Sequence, residues 1–283
     1  MRITRFLYPT TWLIGQFICL QAASAQHHSD DVLEVRAQGF TPSISTSYVR
    51  SAADEDSAYY RSIAAAEINV SYAVPNDKGI LGLTTGLARD LEALEERNVW
   101  SSTNLVYTGH PIEIAQDLAF TYAGLVTAPT NSDMRDYLSY RGSTGLRSSL
   151  TRTWTALPIG RKLKTSVTGS AIRNFFQYDA SQAGIPNTIL ALGASVSAAL
   201  EINEMFQASG SFGLKKPQKS NGTWKDANYV HKIAAGVNLT KDMSVTLSET
   251  TENRAYTYDA QTTQFALYDF EATMYELAAT YKF

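Results

Sequence analysis

The chain has 283 residues and a formal net charge of −3, with 44% hydrophobic and 18% charged residues. Because there is no surplus of basic residues, the composition argues against a nucleic-acid partner. The mean hydropathy is −0.18, and no segment after the N-terminal region is a long uninterrupted apolar run, which excludes a helical membrane protein. A membrane β-barrel is not excluded, since half of each spanning strand faces water and keeps the mean hydropathy low.

The N-terminal segment has the features of a secretory signal peptide. Arg2 and Arg5 precede a short apolar run, Trp12–Leu20, and the small residues Ala23-Ser24-Ala25 form a cleavage site. The alternative is a membrane anchor, but the apolar run is shorter than the roughly 20 residues that a spanning helix needs. Cys19 is the only cysteine, so we expect the exported chain to contain no disulfide and no cysteine metal site.

After this segment, polar and apolar residues alternate with the period of β-strands in twelve stretches, and the pattern is weakest in the first and third. The stretches are Ile44–Arg50, Ala64–Val74, Leu81–Leu87, Val99–Thr108, Leu118–Val126, Leu138–Leu150, Leu163–Ala171, Leu190–Leu200, Phe206–Leu214, Tyr229–Leu239, Met243–Leu247 and Thr273–Phe283. Tyrosines and tryptophans lie near the ends of these stretches: Tyr107, Tyr140, Trp154, Tyr229 and Tyr281. Such rings favour the interface between lipid and water.

The connections between the stretches alternate in length. The expected short turns are Pro75–Gly79, Gly109–Pro111, Leu157–Gly160, Glu201–Glu204 and Thr240–Asp242. The other connections are longer and more charged, including the expected loops Lys215–Asp226 and Glu252–Ala266. Short periplasmic turns, long external loops and an even number of strands are typical of an outer-membrane barrel. A secreted β-sandwich also has alternating strands, but it does not account for the alternating connection lengths.

The last strand, Thr273–Phe283, carries the most specific signal in the chain. Tyr275, Leu277, Tyr281 and the final Phe283 fall on one face. This pattern resembles the C-terminal recognition signal of bacterial outer-membrane β-barrel proteins. The resemblance implies insertion into the outer membrane of a Gram-negative envelope by the barrel assembly machinery, with membrane lipid around the barrel. It identifies no subfamily.

These observations predict an all-β fold, a transmembrane antiparallel up-and-down barrel of about twelve strands. We expect residues 1–25 to be the cleaved signal peptide, 26–40 a flexible periplasmic terminus and 41–283 the barrel. The terminal strand should pair with the first strand to close the barrel. His27 and His28 lie in the flexible terminus, where a mobile segment explains them better than a metal site.

The faces opposite the apolar ones should line the lumen, and they carry mainly small residues and several charges. The candidate lumen residues are Glu67, Asn69, Arg141, Arg147, Lys164, Gln207, Lys232, Glu276 and Lys282. Bases outnumber acids in this set, and charges along a pore bias the solutes that pass. The sequence therefore predicts a narrow porin-like channel for small hydrophilic solutes, including anionic ones. The alternative is a plugged barrel in which these charges pair with one another and the long loops meet a partner.

A barrel hydrolase is a further alternative that the sequence supports poorly. Outer-membrane phospholipases and lipid A deacylases resemble one another in an H-x-S-N segment, but here Gln218 takes the place of the histidine before Ser220 and Asn221. Glutamine cannot act as the general base for a serine nucleophile, so this segment is expected to be a turn. We expect His110 in a short turn and His231 on the lipid face near the interface. Omptin-like proteases use rim Asp and His groups, and the rim acids here have no histidine nearby in sequence: Asp90, Asp133, Asp136 and Asp226. We therefore expect no catalytic residue, metal or cofactor.

Overall fold

The computed structural model describes residues 39–53, 60–75, 78–91, 98–157, 160–254, 268–269 and 271–283. The predicted signal peptide and almost all of the predicted flexible terminus lie outside these residues. The described residues from Phe40 to Phe283 belong to one compact unit. Among the described residues, no helix is long and apolar enough to cross a membrane.

Fourteen antiparallel strand segments and one short helix make up this unit. The first seven segments are β1 (Phe40–Ser51), β2 (Ser62–Val74), β3 (Gly79–Asp90), β4 (Asn98–Trp100), β5 (Thr103–Gly109), β6 (Ile112–Ala115) and β7 (Leu118–Ala128). The helix α1 follows at Ser132–Leu138. The remaining segments are β8 (Tyr140–Leu157), β9 (Gly160–Phe176), β10 (Thr188–Glu201), β11 (Phe206–Lys219), β12 (Asn228–Asn238), β13 (Met243–Arg254) and β14 (Thr273–Lys282).

The segments form a closed barrel of twelve strands. Barrel strands that follow one another along the chain are paired, and the ends meet where β1 pairs with β14. Both β4 and β5 pair with β3, and both β5 and β6 pair with β7, so these three short segments together form one barrel strand. The predicted strand count and the predicted pairing of the first and last strands are confirmed, with Ile44 opposite Tyr281 and Arg50 opposite Tyr275.

One predicted turn is wrong. Gly109–Pro111 interrupts a barrel strand between β5 and β6, and the turn to β7 lies at Gln116 and Asp117. Pro111 has no N–H to donate to a sheet ladder, which explains why the strand breaks there without reversing. Asp117 adopts the left-handed conformation, with φ of 59°, which aspartate tolerates better than most residues. His110 therefore lies exposed at this break.

The connections alternate as expected between a turn end and a loop end of the barrel. The strands at the turn end are joined by two to four residues, and those at the loop end by seven to eighteen. The start of β1 and the end of β14 both lie at the turn end, since Ser43 pairs with Lys282. In bacterial outer-membrane barrels, short turns are usually periplasmic and long loops extracellular.

The outward face of the wall carries an apolar belt. Large apolar side chains are exposed in the middle of the strands: Ile44, Ile68, Leu83, Leu105, Val126, Leu146, Val167, Val196, Ile233, Leu247 and Leu277. Exposed aromatic rings lie toward the turn end at Phe40, Trp154, Phe206, Tyr281 and Phe283, and toward the loop end at Tyr48, Trp100, Phe175, Trp224, Tyr268 and Tyr275. An apolar band between two aromatic girdles is the surface that a membrane barrel presents to lipid.

Two predicted loops are more ordered than expected. The chain at Ser132–Leu138 is helical, with the side chain of Asn131 accepting a hydrogen bond from Met134 N at 2.9 Å as the N-cap. The basic segment predicted as a loop from Lys215 belongs to β11 as far as Lys219, and Lys225 N donates to Pro217 O at 2.8 Å. This part of the chain is therefore a hairpin that extends the wall. The predicted loop Glu252–Ala266 lies mostly outside the described residues, but Glu252 is part of β13.

Candidate functional site

The inward face of the wall is built from small hydroxyl side chains. Ser166, Ser197 and Ser211 lie abreast on three consecutive strands, β9, β10 and β11. Thr151 continues this row on β8 and its hydroxyl lies 2.8 Å from that of Ser166. Short side chains leave room inside the barrel, and their hydroxyl groups can hydrogen-bond to water.

At its other end, the hydroxyl row reaches a charged pair. Ser211 lies opposite Lys232 on β12, and the Nζ of Lys232 lies 3.3 Å from Oε2 of Glu276 on β14. The same carboxylate oxygen accepts a hydrogen bond from Ser248 Oγ on the intervening strand at 3.3 Å. The two side chains are only 16% and 25% exposed, so this inner part of the wall holds a largely buried ion pair. Two of the predicted lumen charges are therefore paired with each other.

Three other predicted lumen residues lie flat against the wall. Asn69 accepts a hydrogen bond from Thr84 Oγ1 at 2.5 Å. The side chains of Glu67 and Gln207 cover Gly86 and Gly236, where an added Cβ would lie 2.9 Å from Glu67 Cγ and 2.8 Å from Gln207 Nε2. Glycine on the facing strand therefore makes the space into which each long side chain folds.

Arg147, Lys164 and Lys282 are half-buried positions along strands of the wall. Arg147 lies between Ala123 and Ser170 on the adjacent strands. Lys282 lies opposite Ser43, close to the turn end of the barrel. All three alternate with outward residues, so they occupy inward positions of their strands.

The structure adds a charged pair that the sequence prediction missed. Lys215 of β11 and Glu252 of β13 occupy inward positions near the loop end and interact electrostatically. A predicted loop starts at each of these two residues, although the alternation of β11 and β13 continues through them. Extending the period-2 pattern by a few residues could have found them. This pair adds one base and one acid, so bases still outnumber acids on the inner wall.

Arg141 lies at the loop end, where β8 starts irregularly. The register shifts between Tyr140 and Gly142, so the alternation of the strand does not extend to Tyr140. Gly142 has φ of +130°, and a Cβ there would lie 2.6 Å from the carbonyl oxygen of Thr127, so only glycine fits. Tyr140 is buried beside Ser143 and Thr127 instead of facing the interface, which corrects its predicted position.

A cavity of about 520 Å³ lies beside Arg141, between α1 and the connection from β9 to β10. Arg135 and Asp136 of α1 line one side, and Gln177 and Tyr178 line the other. A guanidinium N–H of Arg141 donates a hydrogen bond to Oε1 of Gln177. Arg135 pairs with the adjacent Asp136 at 3.0 Å. The cavity is therefore polar and contains two arginines and one carboxylate.

Three loop-end connections are hydrogen-bonded to one another. Gln182 Nε2 donates to the carbonyl oxygen of Asp136 at 2.8 Å, and Asn187 Nδ2 donates to that of Leu138 at 3.3 Å. Ser220 Oγ in turn donates to the carbonyl oxygen of Asp179 at 2.5 Å. These bonds connect the α1 segment, the connection from β9 to β10 and the tip of the β11–β12 hairpin into one tethered group of loops.

The structure does not assemble a hydrolytic site around Ser220. Ser220 and Asn221 lie in a turn that ends at Gly222, with φ of 82°, as expected, and the hydroxyl of Ser220 is used in the tether to Asp179. Among the described residues, no three His, Cys, Asp or Glu side chains converge as metal ligands.

His231 is not at the lipid interface, which corrects its predicted position. It shares a face with the exposed Ile233 but is itself only 4% exposed. It lies opposite Phe212 and Thr251 on the neighbouring strands, and the ring of Phe212 stacks on that of Tyr229 with centroids 6.2 Å apart. Tyr229 is buried as well. The outward face is thus covered at the loop end of β11 to β14, where the sequence predicted contact with lipid.

The comparisons with known proteins establish the fold. The sequence matches no protein-family model and no curated protein. An outer membrane channel from Pseudomonas putida F1 superposes with a TM-score of 0.58 at 11% identity, covering 88% of this chain and 98% of that one. The NanC porin superposes with a TM-score of 0.52 at 10% identity, covering 86% of this chain and 100% of that one. The chain has the closed antiparallel barrel fold of bacterial outer-membrane channels and porins.

Proposed function

We propose that the protein is an outer-membrane channel that passes small hydrophilic solutes through its barrel. The observation that carries this proposal is the inner wall, where Ser166, Ser197 and Ser211 form a row of small hydroxyl side chains across three strands. A barrel sealed to water does not require such a row, since apolar or large side chains would fill its interior. Two solved structures of this fold are described as a channel and a porin, which supports the proposal.

The outer membrane is the location that fits this surface. The apolar belt and the two aromatic girdles match the surface of proteins of this class, and the last strand presents Tyr275, Leu277, Tyr281 and Phe283 on its outward face. We propose that this face is the signal read by the assembly machinery and that it contacts lipid afterwards. In this proposal the protein performs transport and no catalysis.

Solute uptake into proteoliposomes tests the proposal, with two matched variants. Val196 and Ser197 are adjacent on β10, one exposed on the apolar belt and the other in the inner row. Wild-type protein should admit L-arabinose faster than protein-free liposomes do. Ser197→Trp should slow this uptake several-fold because the ring occupies the lumen, whereas Val196→Trp should leave it unchanged. Uptake by wild-type protein no faster than the protein-free background would refute the channel.

A surface-interaction barrel is the second candidate, and the tethered group of loops favours it. Loops that are hydrogen-bonded to one another, as Ser220 is to Asp179, present a fixed surface at the loop end. The pairing of Lys232 with Glu276 also suits a lumen that admits little. If both tryptophan variants behave like wild type and no uptake occurs, this candidate is preferred.

A further inference from the structure

We propose that the loop-end cavity binds a small hydrophilic carboxylate, with Arg141 as the residue that holds the carboxylate group. The inference deepens the proposed function and rests on it, because a binding site at the extracellular mouth would concentrate a solute that then passes through the barrel. The cavity lies within the described residues and is bounded by α1 and the connection from β9 to β10.

The charges of the cavity favour an anion. The side chain of Asp136 neutralises Arg135, with 3.0 Å between Oδ1 and Nε. Among the described residues, Arg141 forms no ion pair, and its hydrogen bond goes to the neutral amide oxygen of Gln177. A guanidinium group has five N–H donors in a planar fork. The donors that Gln177 does not use can form the two parallel hydrogen bonds that a carboxylate accepts.

The size and lining of the cavity favour a hydrophilic ring compound. Its volume of about 520 Å³ lies within the range of about 300–1,000 Å³ that is usual for small-molecule sites. The ring of Tyr178 is 61% exposed and offers a flat apolar face beside the polar groups of Ser139 and Gln177. A sugar acid has the required combination of one carboxylate, several hydroxyl groups and an apolar ring face.

The two sides of the cavity are held together before a ligand binds. Gln177 N donates to Ser139 O at 2.8 Å, and Gln182 N donates to Tyr137 O at 3.2 Å. Gln182 Nε2 also donates to Asp136 O at 2.8 Å. Ser139 ends α1 in the left-handed conformation, with φ of 58°, which directs the chain from the helix into β8. Because the walls are already ordered, binding would lose little conformational freedom.

Calorimetric titration of the refolded full-length barrel in detergent tests the site with D-glucuronate, D-glucose and inorganic phosphate as probes. We expect D-glucuronate to bind with a Kd on the order of 1 mM and D-glucose to bind at least about tenfold more weakly, since it lacks the charge-assisted hydrogen bonds. Arg141→Gln should weaken D-glucuronate binding by about tenfold or more, and Arg141→Lys should give an intermediate value because it keeps the charge and loses the fork.

The matched control is Arg161→Gln, which removes an exposed arginine at the turn end of the barrel and should leave binding unchanged. Equal binding of glucose and glucuronate, equal loss in the control variant, or binding of phosphate as tight as that of glucuronate would overturn the carboxylate site. Arabinose uptake measured on the same preparations separates the two proposals. Uptake without glucuronate binding refutes the site alone, and glucuronate binding without uptake refutes the channel alone.

Discussion

The two faces of the barrel wall are made by the same strands, yet they have opposite chemistry. On β10, the outward Val196 and the inward Ser197 are neighbours in sequence. On β12, the outward Ile233 is exposed while the adjacent Lys232 forms a largely buried ion pair with Glu276. The difference shows that the alternation of a strand, and not the composition of the chain, decides which residues meet lipid and which meet the lumen. It also explains how a chain with a mean hydropathy of −0.18 forms a membrane barrel.

The largest expected effect is a charge placed on the outward face at mid-depth. Leu247 is 57% exposed in the middle of β13 and lies opposite Leu277. Leu247→Arg should lower the free energy of unfolding by about 2–4 kcal/mol, because the guanidinium must enter the hydrocarbon layer. Urea titration of the protein in lipid vesicles, followed by tryptophan fluorescence, measures this loss.

Met243→Arg is the matched control for this prediction, because Met243 is on the same strand and face but at the turn end. Near the interface, the same substitution should cost only about 0–1 kcal/mol. Equal losses at both positions would show that the outward face does not cross a bilayer.

The next prediction concerns the ion pair of the inner wall. Lys232→Met leaves the carboxylate of Glu276, whose side chain is only 25% exposed, without its cation. We expect a loss of roughly 1–2 kcal/mol, less than for a fully buried pair because both side chains retain some contact with water. The same urea titration measures this loss. The double variant with Glu276→Met should recover part of it, and an additive double variant would show that the two side chains do not interact.

A smaller effect is expected at outward positions that are buried and therefore differ from the rest of the outward face. Thr251 and Thr273 are in outward positions at the loop end but are completely buried, and their hydroxyl groups lie 2.7 Å apart. Thr251→Val should cost about 1 kcal/mol, because the hydroxyl of Thr273 loses its hydrogen bond to Thr251 and keeps only the one that it accepts from Asp269 N. Replacing both threonines with valine should cost more than the single change, because Asp269 N then also loses its acceptor. A loss of unfolding free energy near zero for each single variant would indicate that these positions are in contact with water.

The smallest effect is expected at the turn end, outside both faces. Arg161 donates a hydrogen bond to Glu204 at 2.8 Å, which holds the pKa of Glu204 below its usual value of 4.5. A carboxyl group whose pKa is lower in the folded state stabilises the fold at pH values above its unfolded pKa. This stabilisation is lost as the pH falls through the folded pKa. Because both side chains of the pair are largely exposed to solvent, Glu204→Gln should leave the urea midpoint at pH 7 within experimental error. A clear destabilisation at pH 7 that disappears at pH 3 would show that exposed pairs at this end matter more than the wall.

The sequence predicts the wall well, because alternation is a local property of each strand. All twelve strands, the turn at Thr240–Asp242 and the pairing of the first strand with the last follow from period-2 patterns and connection lengths. The exposed positions of Tyr275 and Phe283 on the last strand follow from the same pattern.

The details at the strand ends depend on contacts between distant segments and could not be predicted in the same way. The break at Pro111 looks like a turn because a proline ends strand pairing in both cases. The bulge that precedes Gly142 is set by the carbonyl oxygen of Thr127 on the neighbouring strand. The cavity beside Arg141 depends on hydrogen bonds between distant segments, such as the one from Gln182 to α1, 46 residues earlier in the chain. No local sequence pattern contains this information.

We propose that the inward face encloses a water-filled passage. Single-channel recording in planar lipid bilayers tests it most directly, using full-length protein whose folding has been verified by heat-modifiable gel migration. Discrete current steps that become smaller in Ser197→Trp and stay the same in Val196→Trp are the predicted result. A folded, membrane-inserted protein that shows no current steps would contradict the claim.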